Sequence, residues 1–287
     1  MGTLPSTPGW GIVSVVLVAA VLHASWNAMA KAMKDQVVAF GLIGITAVVW
    51  GVAVLVVVRG PARAAWPFLA LSAAIHVVYN VTLLNSYRFG DLSQVYPLAR
   101  GLAPLLVAGG AAVVVGETLA PWQIVGVAVI AGGLTSLVWA RGPRPPGGRR
   151  ALALAVATGV AIAAYTVVDG LGVRRAASPL GYAGALFVAQ DVVVVAAIVV
   201  LRRGRLVQGV NRSWVLGVLG GLLSVSAYSL VLWAQTRAAL ATVSALRETS
   251  VVVAALFGTV FLREGSGRRR SLAALVVFVG IALLVAT

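Results

Sequence analysis

Apolar runs about 20 residues long recur along the chain, and short polar gaps separate them. A helix that crosses a bilayer needs about 20 mostly apolar residues. The pattern predicts such spans at Trp10–Ala30, Val37–Val58, Trp66–Tyr87, Leu92–Val115 and Pro121–Ala140. A second set follows at Ala151–Val173, Pro179–Leu201, Ser213–Thr236, Ala238–Leu262 and Ser271–Ala286. The last span is short, and Arg268 to Arg270 extend it by snorkelling. The first run lacks a basic leader and is long, so it reads as a transmembrane helix rather than a cleaved signal. Most gaps hold only a few residues, which forces neighbouring helices to pack antiparallel. One gap differs. RGPRPPGGRR, Arg141 to Arg150, has too much Pro, Gly and Arg for a buried helix, and it divides the chain into two sets of five.

The two sets echo each other. Arg100 and Arg247, Glu117 and Glu264, Gly133 and Gly280 are each 147 residues apart. Five is an odd number, so two consecutive five-helix repeats enter the membrane from opposite sides. The expected fold is therefore an all-α membrane protein of ten transmembrane helices, arranged as two inverted five-helix repeats. The repeats are residues 1–140 and 151–287, joined by the linker 141–150. In such folds the substrate site lies near the bilayer midplane, between the halves.

Composition agrees with a bilayer. Of the 287 residues, 61% are hydrophobic and 10% are charged, with a mean hydropathy of +1.02. Soluble domains carry about 25% charged residues. The net charge of +15 sits mostly in the gaps, as membrane topology signals and headgroup contacts do, and gives no reason to expect nucleic acid. The absence of cysteine excludes disulfides, thiolate metal sites and cysteine nucleophiles. Outside the spans, Arg59, Arg63, Arg174, Arg175 and Arg237 lie on the side of the termini. The other basic residues outside the spans, among them Lys31, Lys34, Arg88, the four linker arginines and Arg268 to Arg270, lie opposite. This bias puts both termini outside and the linker in the cytoplasm.

Charges inside apolar runs are costly and usually mark function or an internal ion pair. The intramembrane set is His23, His76, Arg100, Asp169, Asp191, Arg247 and Glu248. In the fourth span, Pro97 and Pro104 remove backbone donors, and Tyr96 and Arg100 share a face. Arg100 suits a carboxylate or phosphate by its planar fork, or pairs with Asp191 or Glu248. Ser244, Arg247 and Glu248 share a face of the ninth span. Glu248 pairs with Arg247 or Arg100, or carries a proton. His76, Tyr79 and Asn80, and likewise His23 and Asn27, form polar stripes that face protein. Tyr165 and Asp169 are one turn apart, with Asp169 near a helix end. Tyr228 adds a further pocket residue. The expected substrate-binding set is His23, Asn27, His76, Tyr79, Asn80, Tyr96, Arg100, Tyr165, Tyr228 and Arg247. Glu248, Asp191 and Asp169 are the expected proton-coupling groups. No carboxylate or cysteine joins the histidines at ligand spacing, so no metal or cofactor is expected.

Two five-helix halves, GETLAPWQIVGVAVIAGGL and REGSGRRRSLAALVVFVGIALL at the last helix of each half, and HASWNAMAK in the first helix resemble the EamA branch of the drug/metabolite transporter superfamily. The G-E-x-L-x-x-x-Q-x-x-G element at Gly116 to Gly126 is the most specific part. In the second half Arg263 and Arg270 replace its Gly and Gln. The resemblance implies a multi-pass transporter of the bacterial inner membrane; the expected partners are a small-molecule substrate and the lipid bilayer, with the chain a monomer or homodimer. It implies export of amino acids, other metabolites or toxic compounds by alternating access, either proton-coupled or facilitative. It also implies cytoplasmic termini, against the charge bias. Glu117 and Glu264 match family positions at helix starts, where an anion caps its own helix.

The expected function is efflux of a small polar or amphipathic metabolite. The alternative is an integral membrane enzyme acting on a lipid-linked substrate, with Asp169 and Tyr165 as its only loose acid/base candidate.

Overall fold

The structure is a computed structural model, and it describes residues 8–33, 35–89, 92–136, 148–201, 212–253 and 268–285. Lys34, Arg263, Glu264, most of the linker and the end of the ninth span lie outside the described residues. All regular structure among the described residues is helical. The helices are α1 (Trp10–Ala32), α2 (Gln36–Val57), α3 (Trp66–Phe89), α4 (Leu92–Gly110), α5 (Pro121–Ser136), α6 (Gly148–Arg174), α7 (Pro179–Leu201), α8 (Arg212–Gln235), α9 (Leu240–Arg247) and α10 (Arg268–Val285). Seven described helices are long and apolar enough to cross a membrane, and Pro121–Ser136 and Leu272–Val285 are shorter apolar helices.

Three boundaries differ from the sequence expectation. Helix α6 starts at Gly148, inside the Arg141–Arg150 linker. Its first turn runs along α3, where the Arg150 guanidinium lies 4.0 Å from the centre of the Phe89 ring. Helix α4 ends at Gly110 and passes into a π turn at Ala111–Val115, closed by Gly116 in the left-handed region at φ 73°. The ninth span is not continuous. Helix α9 stops at Arg247, Glu248 forms a turn, and helical structure resumes at Thr249. By contrast, α4 runs without interruption through Pro97 and Pro104.

Burial is that of a membrane protein. Val56, Val57, Val113 and Phe278 are largely exposed, which suits lipid-facing positions. His76, Arg100, Asp169, Arg247 and Glu248 are buried. Helix α2 is started by Asp35, whose carboxylate accepts from the Val37 and Val38 amides.

Helix packing joins the two halves of the chain. Helix α3 lies along α6, α1 along α8, α2 against α7, and α5 against α10. The two last pairs cross at glycines. A Cβ on Gly51 would lie 2.6 Å from the Gly184 carbonyl oxygen, and a Cβ on Gly126 2.8 Å from that of Gly280. Only a missing side chain lets these backbones touch, a common device where no hydrophobic force drives helices together.

The loops sort onto two ends. At one end the Ala62 amide donates to the Ala176 carbonyl, and Gly181 packs on the Arg59 carbonyl. At the other, Val95 and Phe89 pack on Ala151, and Trp214 packs on Ala30 and Met33. Arg59, Arg174 and Arg175 therefore share the first end, and Arg149 and Arg150 belong to the second.

Gly51→Ala is expected to push α2 off α7 and to cost roughly 1–3 kcal/mol. Denaturant unfolding of the purified protein checks this, and unchanged stability would contradict the close crossing. The chain has no cysteine of its own, so single-cysteine labelling reads orientation directly. An impermeant maleimide should label Gly60→Cys in intact cells and Arg149→Cys only after permeabilisation. The opposite pattern would overturn the orientation read from charge.

Candidate functional site

The break in α9 places Arg247 and Glu248 among buried side chains from both halves. Arg100 of α4 meets Glu248 with its Nε 3.0 Å from Oε2. This is an ion pair rather than an aligned hydrogen bond, because neither atom has a hydrogen-bond partner of good geometry among the described residues. The Arg100 Nη2 donates to the Ser250 hydroxyl at 2.9 Å, and the guanidinium lies 5.8 Å from the centre of the Tyr96 ring. Tyr96 and Arg100 thus share a face as their spacing requires. Of the expected partners for Arg100, the structure selects Glu248 over Asp191.

Arg247 is placed differently. Its Nη2 donates to the Tyr165 hydroxyl at a long 3.4 Å, and its guanidinium is 6.0 Å from the Tyr228 ring centre. Its Nε has no partner among the described residues, nor have the Ser244 hydroxyl and Glu248 Oε1. Arg247 is 3% exposed.

A second polar cluster centres on Asp169, which is fully buried. Its carboxylate accepts from the Tyr182 hydroxyl at 2.9 Å and from the Tyr228 hydroxyl at 2.6 Å. The Ser72 hydroxyl reaches it as well. Asp169 therefore does not run out to the interface, and its tyrosine partners are not Tyr165. His76 Nδ1 lies 2.9 Å from the Ser72 carbonyl oxygen. The His76 ring stacks on Tyr165, with centroids 4.1 Å apart. Tyr79 meets Tyr165 edge-on at 5.7 Å. Tyr165 and Tyr228 thus join the Asp169 cluster to Arg247.

His23, Tyr79 and Tyr96 lie within electrostatic range of Arg100 and Arg247, yet each stays only half-buried. These side chains and the two arginines form a polar cluster drawn from α1, α3, α4, α6, α8 and α9. Asn27 and Asn80 are half-buried on α1 and α3. Asn27 spends its amide on the His23 carbonyl at 2.7 Å. Asp191 stands apart from the cluster. It faces Gly44 of α2 and takes a hydrogen bond from Gln190. Among the described residues, no three His, Asp or Glu side chains come together as metal ligands do.

Residues 149–286 match the sequence profile of the EamA-like transporter family. This half of the chain belongs to the EamA-like transporter family. The family is part of the drug/metabolite transporter superfamily, and with seven membrane-length helices among the described residues the chain is a multi-pass membrane protein whose residues 149–286 are of transporter type. A solved crystal structure, described only as that of a protein, resembles the chain with a TM-score of 0.77. It shares 18% identity, over 95% of this chain and 96% of the other, and so shows a common fold alone. No curated protein matches.

The EamA half is tied to the first half by a residue whose role differs from expectation. Glu117 does not cap its own helix. The α5 start is held by Gln123, whose Oε1 accepts from the Ala120 amide at 3.0 Å. Glu117 instead accepts from the Leu240 amide at the start of α9, at 2.8 Å. It also takes Arg174 Nη2 at 2.7 Å. Arg174 in turn donates to the carbonyls of Gln235 and Ala238. Ser250, Tyr182 and Arg174 were not among the expected site residues. Nothing in their spacing marks them, since each meets a partner on another helix.

Glu248→Gln leaves Arg100 buried without its counter-ion and is expected to cost roughly 3–5 kcal/mol. Replacing both Arg100 and Glu248 by Met is expected to recover most of that loss, because a buried pair is often no better than apolar residues of like volume. Thermal unfolding in detergent checks both. A double variant no more stable than Glu248→Gln would show that the pair is not the source of the loss.

Proposed function

We propose that the chain is a secondary transporter that exports a small amphipathic metabolite across the bacterial inner membrane by alternating access. Its ten transmembrane helices form two inverted five-helix repeats, residues 1–140 and 151–287. The observation that carries this reading is the interrupted ninth helix, which presents Arg247 and Glu248 to Arg100 where the halves meet. Discontinuous helices at the repeat interface form the binding sites of many secondary transporters.

The packing pattern supports the repeat. Exchanging each helix with the one five places on turns the α3–α6 contact into α8–α1. The same exchange returns the α2–α7 and α5–α10 contacts onto themselves. Both self-paired contacts cross glycine to glycine. A two-fold axis relating the two sets of five helices has these properties.

In this reading substrate binds in a recess that opens beside Arg247, Tyr165 and Tyr228. Glu248 and Asp169 are the coupling candidates, since both carboxylates border the path through Tyr228 and Arg247. Asp191 lies off that path and is the weakest of the three.

Counterflow of a solute panel in proteoliposomes, with and without an imposed pH gradient, tests the reading. Arg100→Ala and the Met/Met double variant are expected to abolish flux, and the double variant to do so while remaining folded. Full transport by both would sink the site. Flux indifferent to the gradient would leave a facilitator and remove the coupling roles.

A further inference from the structure

Charge count in the polar cluster points to the chemistry of the substrate. Two arginines, Arg100 and Arg247, face one carboxylate, Glu248, and Glu248 sits on Arg100 at 3.0 Å. Asp169 does not serve Arg247 directly. Its oxygens are taken by the hydroxyls of Tyr182 and Tyr228, so Arg247 meets the ring of Tyr228 and the Tyr165 hydroxyl instead. Arg247 is thus a buried cation with no carboxylate at ion-pair distance among the described residues. Its Nε lacks an acceptor, and so does the Ser244 hydroxyl one helical turn away on the same face of α9. An unpaired buried charge is expensive at bilayer depth. The walls around it are flat and aromatic, formed by Tyr165, Tyr228 and the stacked His76 ring.

We infer that the substrate is a small organic monoanion. Its carboxylate or like oxyanion is received by Arg247 and Ser244, and its apolar, ring-sized body lies against Tyr165 and Tyr228. This rests on the transport reading above. A single negative charge brings the local balance of the two arginines and Glu248 to neutral. A zwitterion leaves it unchanged, a dianion reverses it, and a cation makes it worse. The planar guanidinium also suits a carboxylate by geometry, offering two parallel donors.

The test uses the full chain in nanodiscs and matched probes of one ring size: benzoate, benzamide, L-phenylalanine and benzyltrimethylammonium. Binding is read by calorimetry. Benzoate is expected to bind at least roughly tenfold more tightly than the other three, in keeping with a charge-pair contribution of that order. Arg247→Gln should abolish the preference, and Ser244→Ala should weaken benzoate several-fold. Ser14→Ala, at an exposed position of α1 where the hydroxyl bonds only its own helix, should keep the preference for the anion and serves as the folded control. Counterflow with benzenesulfonate, which stays charged and does not leak, reads transport.

Equal binding of benzamide or benzyltrimethylammonium overturns the monoanion class, whether or not other solutes are moved. So does preference for L-phenylalanine, which would assign the open Glu248 oxygen to an ammonium group. Failure of all four probes to bind overturns it too. Selective benzoate binding with no flux of benzenesulfonate or of any panel solute would keep the receptor and sink the transport reading instead.

Discussion

Placing an arginine at bilayer depth costs somewhere from about 3 to more than 10 kcal/mol if nothing compensates it. Arg100 is compensated by Glu248, and much of the fold follows from that contact. The pair joins the two halves of the chain directly. To reach Arg100, Glu248 sits where α9 has stopped, with backbone φ −68° and ψ −11°. The turn at Glu248 lets Ser250 also meet Arg100 from the far side of the break. On the other helix, α4 holds Arg100 steady by running unbroken through two prolines. The lost backbone donors are tolerated because α4 is packed on α5, α6 and α9 rather than facing lipid alone.

A second tie joins the same two helices at the end of the membrane. Helix α4 continues through its π turn to Glu117, and Glu117 accepts the first amide of α9. The anion meets the positive end of a helix that is not its own. Arg174 locks this contact and also takes two carbonyls at the α8–α9 junction. Helices α4 and α9 are therefore fastened at two depths, one by Arg100 and one by Glu117. Helix α9 is only eight residues long and runs between the two ties. π turns are frequent at functional sites.

Much of this was legible in the residues. Apolar length marked the seven membrane-length helices among the described residues, and the rule that charge avoids lipid marked the buried set. The one-turn spacing of Tyr96 and Arg100 gave a shared face. What spacing cannot give is which helix a face meets. Glu117 looked like the cap of α5 because it precedes that helix, but Gln123 already fills the role. Asp169 looked close to an interface by position in its run. It is buried because Tyr182 folds back over it from the next helix, and Gly172 leaves room for that ring. Asp191 looked equivalent to Glu248 by polarity alone, yet its face of α7 turns to Gly44 on α2. The break at Glu248 left no propensity signal either. The run that follows, Thr249 to Val253, is mostly β-branched and a weak helix former, but the run Val192 to Val195 stays helical in α7, so such a run does not mark a break.

Glu248 also shows why the echo between the halves is imperfect. Its counterpart at a separation of 147 residues is Gly101. A Cβ at Gly101 would lie 2.8 Å from Thr135 and 3.1 Å from the Ala131 carbonyl oxygen. Helix α5 presses on α4 there and leaves no room for a carboxylate. At the corresponding place on the ninth span, Glu248 is fully buried and reaches Arg100. One carboxylate therefore enters on that side, and it serves the arginine across the interface. Packing therefore decides which half supplies the negative charge, and that choice leaves Arg247 as the arginine without a carboxylate.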